Sequence, residues 1–273
     1  GTVWLCREGR GGERRAVKLI ETQRAEAVAA EVAMMRRALD ASGDYSVPRL
    51  YEAGAASVVG QPGFQHLLIA MEFIDGVPAS HQGVAAHLPA LGVCAVLKNV
   101  GTVLARLHEN GLIHRDVKGD NVMISREGRA YLCDFGISGL EEDLRVRREL
   151  DAGTPDFLAP ELLGRVAHFS DKADVWAFGI LAIELVNGQT PGRERGLNGE
   201  AMMQWIANSQ PPEAPQIPGF AGNYADTVEM CLVRRPEHRA PMQQVLQSKF
   251  LRQRGDGSAI LRQIVRGLVP QGH

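Results

Sequence analysis

The fold of this chain is decided by residues 114–121, which read His114-Arg115-Asp116-Val117-Lys118-Gly119-Asp120-Asn121. Thirteen residues after this stretch ends, the chain reads Asp134-Phe135-Gly136. About two dozen residues further on it reads Ala159-Pro160-Glu161. A single tripeptide such as Asp134-Phe135-Gly136 occurs often by chance. The ordered set at this spacing is very improbable as an accident, so it predicts one specific kind of domain.

The ordered set resembles the signature of eukaryotic-type protein kinase domains, and the resemblance extends from Gly1 to about Phe250. It implies an α+β, bilobal fold, with a small antiparallel-sheet lobe carrying one helix and a larger, mainly helical lobe. We expect the small lobe at residues 1–74, the large lobe at 75–252, and a tail at 253–273 that contains an amphipathic helix. The implied activity is transfer of the γ-phosphate of ATP to serine or threonine hydroxyls of protein substrates.

The resemblance assigns roles to the central motifs. Phosphoryl transfer depends on positioning and charge neutralisation more than on covalent chemistry. Asp116 is expected to accept the proton of the substrate hydroxyl. Lys118 is expected to contact the transferred phosphate, and a lysine here is typical of serine/threonine kinases. Asn121 and Asp134 supply the hard oxygen ligands that suit Mg²⁺, and the resemblance implies that they hold two magnesium ions.

Ala16-Val17-Lys18 resembles the kinase strand that carries the ATP-binding lysine. Lys18 is expected to contact the α- and β-phosphates and to pair with a glutamate on the next helix. We favour Glu31 as that partner, with Glu26 as the alternative. The spacing between Lys18 and Glu31 is shorter than in most kinases, so the start of this helix is expected to be trimmed.

The glycine-rich loop departs from the family pattern. Only its last glycine and its valine are present, as Gly1 and Val3, and Val3 lies thirteen residues before Ala16 as in the family. The first two glycines and the first strand are therefore missing from this sequence. We expect a truncated domain, with natural loss of that strand as the alternative.

The adenine ring of ATP is expected to lie between the two lobes. The resemblance places Val3 and Ala16 above the ring and Met123 below it, with Met71 at the gatekeeper position. The hinge, whose backbone bonds the edge of the ring, is expected at Glu72, Phe73 and Ile74.

Three further positions are expected to support the site. Thr154 in Gly153-Thr154-Pro155 should bond the catalytic aspartate and lysine and shape the acceptor site. Asp174 should anchor the backbone of the catalytic loop. Arg239 should form a buried ion pair with Glu161.

The catalytic loop and the segment from 153 to 161 resemble the sterile/germinal-centre kinase branch or its MAP-kinase-kinase-kinase relatives, although Phe157 and Leu158 depart from the usual pattern. The position normally phosphorylated in the activation loop is a leucine here. We hypothesise that Glu149 or Asp151 pairs with Arg115 in place of a phosphate; alternatively both are solvated charges.

Local patterns predict strands over residues 2–7, 15–20, 49–53 and 66–73, and helices over 21–39 and 88–109. The tail places Ile260, Leu261, Ile264, Val265 and Leu268 on one helical face. We favour packing of this face on the domain, with a regulatory partner as the alternative occupant.

Composition and charge limit the partners and the cellular location expected of this chain. A formal net charge of −2 over 273 residues argues against a nucleic-acid partner. The four cysteines show no paired spacing, so we expect free thiols and a cytoplasmic or nuclear location. The most apolar stretch, residues 175–186, is too short for a membrane span.

Two other functions share parts of this pattern. A pseudokinase scaffold would bind partners without transferring phosphate, but each catalytic residue expected within the chain is present. A small-molecule kinase would lack the Ala-Pro-Glu motif, the Gly-Thr-Pro loop and the pair formed by Glu161 and Arg239, which are all present here.

Overall fold

The structure is a computed structural model with two lobes. It describes residues 2–7, 9, 12–21, 25–43, 46–57, 65–85, 87–141, 153–164, 169–217 and 221–269.

The small lobe is built on an antiparallel sheet in the order β1-β2-β4-β3. One helix, α1 (Ala25–Ser42), packs on the sheet and buries Val28 and Met35. The strands are β1 (Thr2–Arg7), β2 (Arg14–Glu21), β3 (Leu50–Ser57) and β4 (Gln65–Glu72).

The helix predicted over 21–39 is wrong at both ends. Glu21 closes β2, where it pairs with His66 across the β2–β4 ladder. The strand ladder thus decides this position, because its backbone groups gain partners there. At the other end α1 runs to Ser42. Gly43 then takes φ +61°, and its N–H donates to the carbonyl of Leu39 at 2.9 Å. This left-handed glycine is a common way to end a helix.

The large lobe is organised around two buried helices, α2 (Ala90–Glu109) and α3 (Asp171–Asn187). α3 is buried on all sides, which explains its continuous apolar sequence. Ser170 caps its N-terminus, and Gly188 ends it in a left-handed conformation. Smaller helices surround this pair: α4 (Pro191–Glu194), α5 (Gly199–Asn208), α6 (Ala221–Cys231), α7 (Met242–Val245) and α8 (Gly257–Leu268).

Short strands hold the segment from 114 to 121 in place. β5 (Gly76–Pro78), β7 (Val122–Ser125) and β8 (Ala130–Leu132) form one sheet. β6 (Leu112–Ile113) pairs with β9 (Gly139–Leu140). The catalytic motif therefore begins where β6 ends and finishes where β7 starts. The predicted α+β fold, with a sheet lobe and a helical lobe, is confirmed.

Two apolar helices are accounted for by packing. α2 is long and apolar enough to cross a membrane by composition, but 61% of its apolar stretch is buried inside the protein. The predicted packing of the tail helix α8 on the domain is confirmed, because Leu261 and Val265 are buried against the core. A regulatory partner for α8 stays a prediction.

Candidate active site

The catalytic loop is held by a buried carboxylate. Asp174, only 1% exposed, lies in the first turn of α3. It accepts hydrogen bonds from the backbone N–H groups of His114 and Arg115, each at 2.8 Å. Arg115 adopts φ +71°, which is uncommon for a residue with a side chain. The predicted anchoring role of Asp174 is confirmed, and it holds a backbone conformation that the loop would not keep alone.

Two histidines complete this anchor. His108 Nε2 lies 3.0 Å from Asp174 Oδ2. Burial alone would raise the pKa of Asp174, but His108 and His114 outweigh it and keep that pKa below its usual range. Burial also lowers the pKa of His114, so its imidazole is neutral near pH 7. The His114 ring stands edge-on to Phe135, with 5.0 Å between ring centroids.

Asp116 lies at the centre of a hydrogen-bonded group. The Thr154 hydroxyl donates to Asp116 Oδ1 at 2.7 Å and accepts from Lys118 Nζ at 2.7 Å. Lys118 Nζ also lies 2.8 Å from Asp116 Oδ2. Asn121 donates its amide to both the backbone and the side chain of Asp116, each at 2.8 Å. The predicted contacts of Thr154 are confirmed, and they hold the Asp116 carboxylate in one orientation.

Lys18 connects the two lobes. Its Nζ lies 2.6 Å from Glu31 Oε1 on α1 and 3.2 Å from Asp134 Oδ1 in the large lobe. Glu31 is buried, whereas Glu26, the alternative partner, is exposed in the first turn of α1. The structure thus brings Lys18, Glu31 and Asp134 together at one place between the lobes.

Charge balances burial at this contact. Burial alone would lower the pKa of Lys18, but the two carboxylates outweigh it and raise that pKa above its usual value. Burial likewise opposes the ionised form of Asp134, but Lys18 and the Gly136 N–H keep its pKa below the usual range. Lys18 and Asp134 are therefore both charged near neutral pH. Asp134 also has a left-handed backbone, with φ +64°.

The positions expected around adenine lie where the lobes join. Ala16 on β2 is directly opposite Met71 on β4, and Val3 on β1 is opposite Lys18. Val3 is 58% exposed. Met123, on β7 of the large lobe, pairs with Pro78 and is partly buried.

The expected hinge follows the last strand of the small lobe. β4 ends at Glu72, and the chain passes through Phe73 and the buried Ile74 to reach β5. Arg14 lies over the Phe73 ring, with its guanidinium carbon 4.9 Å from the ring centroid. Gly1 lies outside the described residues.

A buried ion pair joins Glu161 and Arg239 within the large lobe. Arg239 Nη1 lies 2.7 Å from Glu161 Oε1, and its Nη2 lies 3.0 Å from Oε2. The side chains are 0% and 8% exposed, respectively. The predicted pair is confirmed.

The protein kinase domain family matches residues 1–251 of this chain. The chain belongs to this family. The predicted recognition of a protein kinase domain is therefore confirmed, and the resemblance to the sterile branch stays a prediction.

The curated relatives of this kinase domain include serine/threonine-protein kinases named PAK. PAK mbt of Drosophila melanogaster is 30% identical over 266 residues, covering 96% of this chain and 39% of the relative. PAK 5 of Rattus norvegicus is 29% identical, and PAK 4 of Homo sapiens is 30% identical, each over 265 residues and 96% of this chain. The chain spans 35% of that PAK 5 and 42% of that PAK 4.

Two side chains of the kinase domain fit the ligand preferences of magnesium. The Asn121 amide nitrogen is committed to Asp116, which leaves its amide oxygen as the available donor atom. The Asp134 side chain is 48% exposed, and only its Oδ1 meets Lys18. No group of three or more His, Cys, Asp or Glu suited to a metal ion exists within the described part of the chain. A set of one amide and one carboxylate suits Mg²⁺, which usually keeps water and phosphate oxygens as its other ligands.

The hypothesis that Glu149 or Asp151 pairs with Arg115 concerns residues outside the described part of the chain, so it stays a hypothesis. Arg115 itself donates from Nη1 to the carbonyl of Ile137 at 3.0 Å. Its guanidinium carbon lies 4.4 Å from the centroid of the Phe169 ring.

Sequence reasoning missed one supporting carboxylate. Glu184, on the buried helix α3, accepts a hydrogen bond from the Gly119 N–H in the catalytic loop at 3.0 Å. Burial raises the pKa of Glu184 to about 7. The signal was present, because a single carboxylate within an apolar run needs a polar partner when it is buried.

Sequence reasoning also missed a network of charged side chains around Asp75, the residue that follows the expected hinge. Asp75 Oδ2 lies 2.8 Å from Arg14 Nη2 and 3.3 Å from Arg126 Nε. Arg126 also donates to the carbonyl of Val269, just after α8, at 2.9 Å. No local sequence pattern joins these four positions.

Proposed function

We propose that this chain is the catalytic domain of an ATP- and Mg²⁺-dependent protein serine/threonine kinase. The observation that carries the proposal is the orientation of Asp116, whose carboxylate is bonded by Thr154 and Asn121 beside Lys118. A carboxylate held in this way is placed to accept the proton of an alcohol. The names of the relatives, all serine/threonine-protein kinases, support the substrate class.

Each residue then has one role. Asp116 receives the proton of the substrate hydroxyl, and Lys118 offers positive charge to the transferred phosphate. Lys18, held by Glu31, binds the α- and β-phosphates. Bound ATP supplies the phosphoryl group, and Mg²⁺ ions neutralise its charge. Asn121 and Asp134 hold those ions.

The adenine ring occupies the space between the lobes. The residues proposed to contact the nucleotide there are Gly1, Val3, Ala16, Met71, Glu72, Phe73, Ile74 and Met123. Ala16 and Met71 pair across β2 and β4, and Met71 lies one residue before β4 ends at Glu72. Their position beside the segment that joins the two lobes supports this placement.

The boundaries and setting of the domain are part of the proposal. The small lobe spans 1–74, the large lobe 75–252 and the tail 253–273. The partners of the domain are protein substrates. Four free cysteines support a reducing compartment, the cytoplasm or nucleus.

The proposal is tested by incubating the protein with γ-labelled ATP, magnesium and a mixed protein substrate such as casein, followed by phosphoamino-acid analysis. We expect labelled phosphoserine or phosphothreonine. Asp116→Asn should reduce turnover at least about 100-fold, since general-base catalysis contributes roughly 10²–10⁴-fold. Asp226→Asn, a matched change at an exposed position on α6, should leave turnover unchanged.

Three results would overturn the proposal. Undiminished turnover in Asp116→Asn would show that Asp116 is not the base. Nucleotide binding without any transfer would indicate a scaffold. Labelling of a small alcohol in preference to any protein would indicate a small-molecule kinase.

A further inference from the structure

A buried carboxylate lies two residues beyond Thr154. Asp156 belongs to the short 3-10 turn Pro155–Phe157, and its side chain is only 5% exposed. Burial of a charged group is costly unless it is paired and hydrogen-bonded. The partners of Asp156 therefore indicate what this part of the chain is attached to.

Those partners are Thr190, which caps the N-terminus of α4, and Arg193 within that helix. Arg193 donates from Nε to Asp156 Oδ1 at 2.7 Å and from Nη2 to Oδ2 at 3.2 Å. Such a two-pronged contact between a guanidinium and a carboxylate is strong and restricts the orientation of both groups. The Thr190 hydroxyl also donates to Asp156 Oδ1, at 3.0 Å.

The contacts close into a ring. The Thr190 oxygen accepts from the Arg193 backbone N–H at 3.4 Å and so caps α4, while the Arg193 side chain returns to Asp156. We call Asp156, Thr190 and Arg193 the acceptor-loop clamp. Because Thr190 caps α4 and Arg193 lies within it, the clamp joins the 3-10 turn to that helix.

We propose that Asp156 and Arg193 are positioning residues for the protein substrate, which act by holding Thr154 beside Asp116. The Phe157 N–H donates to the Thr154 carbonyl at 3.0 Å, so the turn and Thr154 move together. Thr154 in turn bonds Asp116 and Lys118. This inference rests on the proposed function, because it places the acceptor hydroxyl at Asp116.

The kinetic experiment compares Asp156→Asn and Arg193→Gln with wild type. We expect the KM for a peptide substrate to rise about tenfold and its kcat to fall, because the acceptor site and the orientation of Asp116 both depend on Thr154, and small displacements of a reacting group cost up to about 100-fold in rate. The KM for ATP should stay within about twofold, since no clamp residue is proposed to touch the nucleotide. Arg193→Lys keeps the positive charge but cannot make the two parallel hydrogen bonds to Asp156. Its KM for the peptide should therefore lie between those of wild type and Arg193→Gln.

The matched control is Arg195→Gln on the same short segment. Arg195 donates to the carbonyl of Pro191 and lies over the Trp205 ring, rather than bonding Asp156. Both KM values of this variant should equal those of wild type. An unchanged peptide KM in Asp156→Asn, or equal rises in the KM for ATP and for peptide, would overturn the inference.

A second measurement does not depend on activity. Hydrogen exchange should quicken about tenfold at the amides of Phe157 and Leu158 in Asp156→Asn, while the amides of α3 keep their protection. Unchanged exchange at the turn would overturn the clamp. A wild-type protein that transfers no phosphate would instead overturn the proposed function, and the exchange result would still decide the clamp.

Discussion

Replacing Glu161 by glutamine should unfold this domain at a clearly lower temperature. The change is nearly isosteric and removes only the charge that faces Arg239. The Arg239 side chain is fully buried, so its positive charge would lose its only carboxylate partner among the described residues. Breaking a buried pair in this way costs roughly 3–5 kcal/mol.

The structure places the loss at the lower end of that range. Arg239 keeps hydrogen bonds to the carbonyls of Lys172 at 2.6 Å and Val233 at 2.9 Å. The glutamine oxygen can also still accept one bond from the guanidinium. We therefore expect a loss of about 3 kcal/mol in the free energy of unfolding. For a domain of this size that corresponds to a fall in Tm of roughly 6–12 °C.

The assay is thermal denaturation followed by circular dichroism. Asp75→Asn is the control, because it breaks partly exposed contacts with Arg14 and Arg126 that should each contribute less than about 1 kcal/mol. The double variant Glu161→Gln/Arg239→Met removes both buried charges and should be more stable than Glu161→Gln alone. The reasoning would be refuted if the Tm of Glu161→Gln were no lower than that of Asp75→Asn. It would also be refuted if the double variant lost as much stability as the single variants Glu161→Gln and Arg239→Met lose when added together.

Three further variants test the site. Thr154→Val removes the hydroxyl that orients the catalytic aspartate, so kcat should fall at least about tenfold while Thr154→Ser stays near wild type; equal kcat values in steady-state assays would contradict this. Glu31→Gln weakens the hold on the phosphate-binding lysine and should raise the Kd for a fluorescent ATP analogue roughly tenfold, whereas Glu26→Gln at an exposed position should not. Burial raises the pKa of Glu184 from 4.5 to about 7. Between these two values the folded domain keeps a proton that the unfolded chain releases. The free energy of unfolding therefore falls as the pH rises through this range. Glu184→Gln should therefore gain stability relative to wild type between pH 5 and pH 8, by at most on the order of 3 kcal/mol, and an equal Tm difference at both pH values would speak against it.

The sequence by itself determined which family the domain belongs to and which motifs form its catalytic loop. Asp116, Lys118 and Asn121 lie within six consecutive residues, so a single loop must carry them together. The pairs between Thr154 and Asp116 and between Glu161 and Arg239 were also predictable, because the family pattern carries them across long separations. Boundaries were less predictable: Glu21 has a helical neighbourhood in sequence but joins a strand, because β4 offers its backbone a partner.

Only the tertiary structure decided between chemically equivalent candidates. Glu26 and Glu31 are both glutamates of one helix, and the packing of α1 on the sheet brings Glu31 to Lys18. The contact between Asp156 and Arg193 likewise joins positions 37 residues apart in sequence. The physical reason is that a charged side chain has no preferred partner along the chain. The core determines which carboxylates and which cations lose their water together, and so it decides which of them pair.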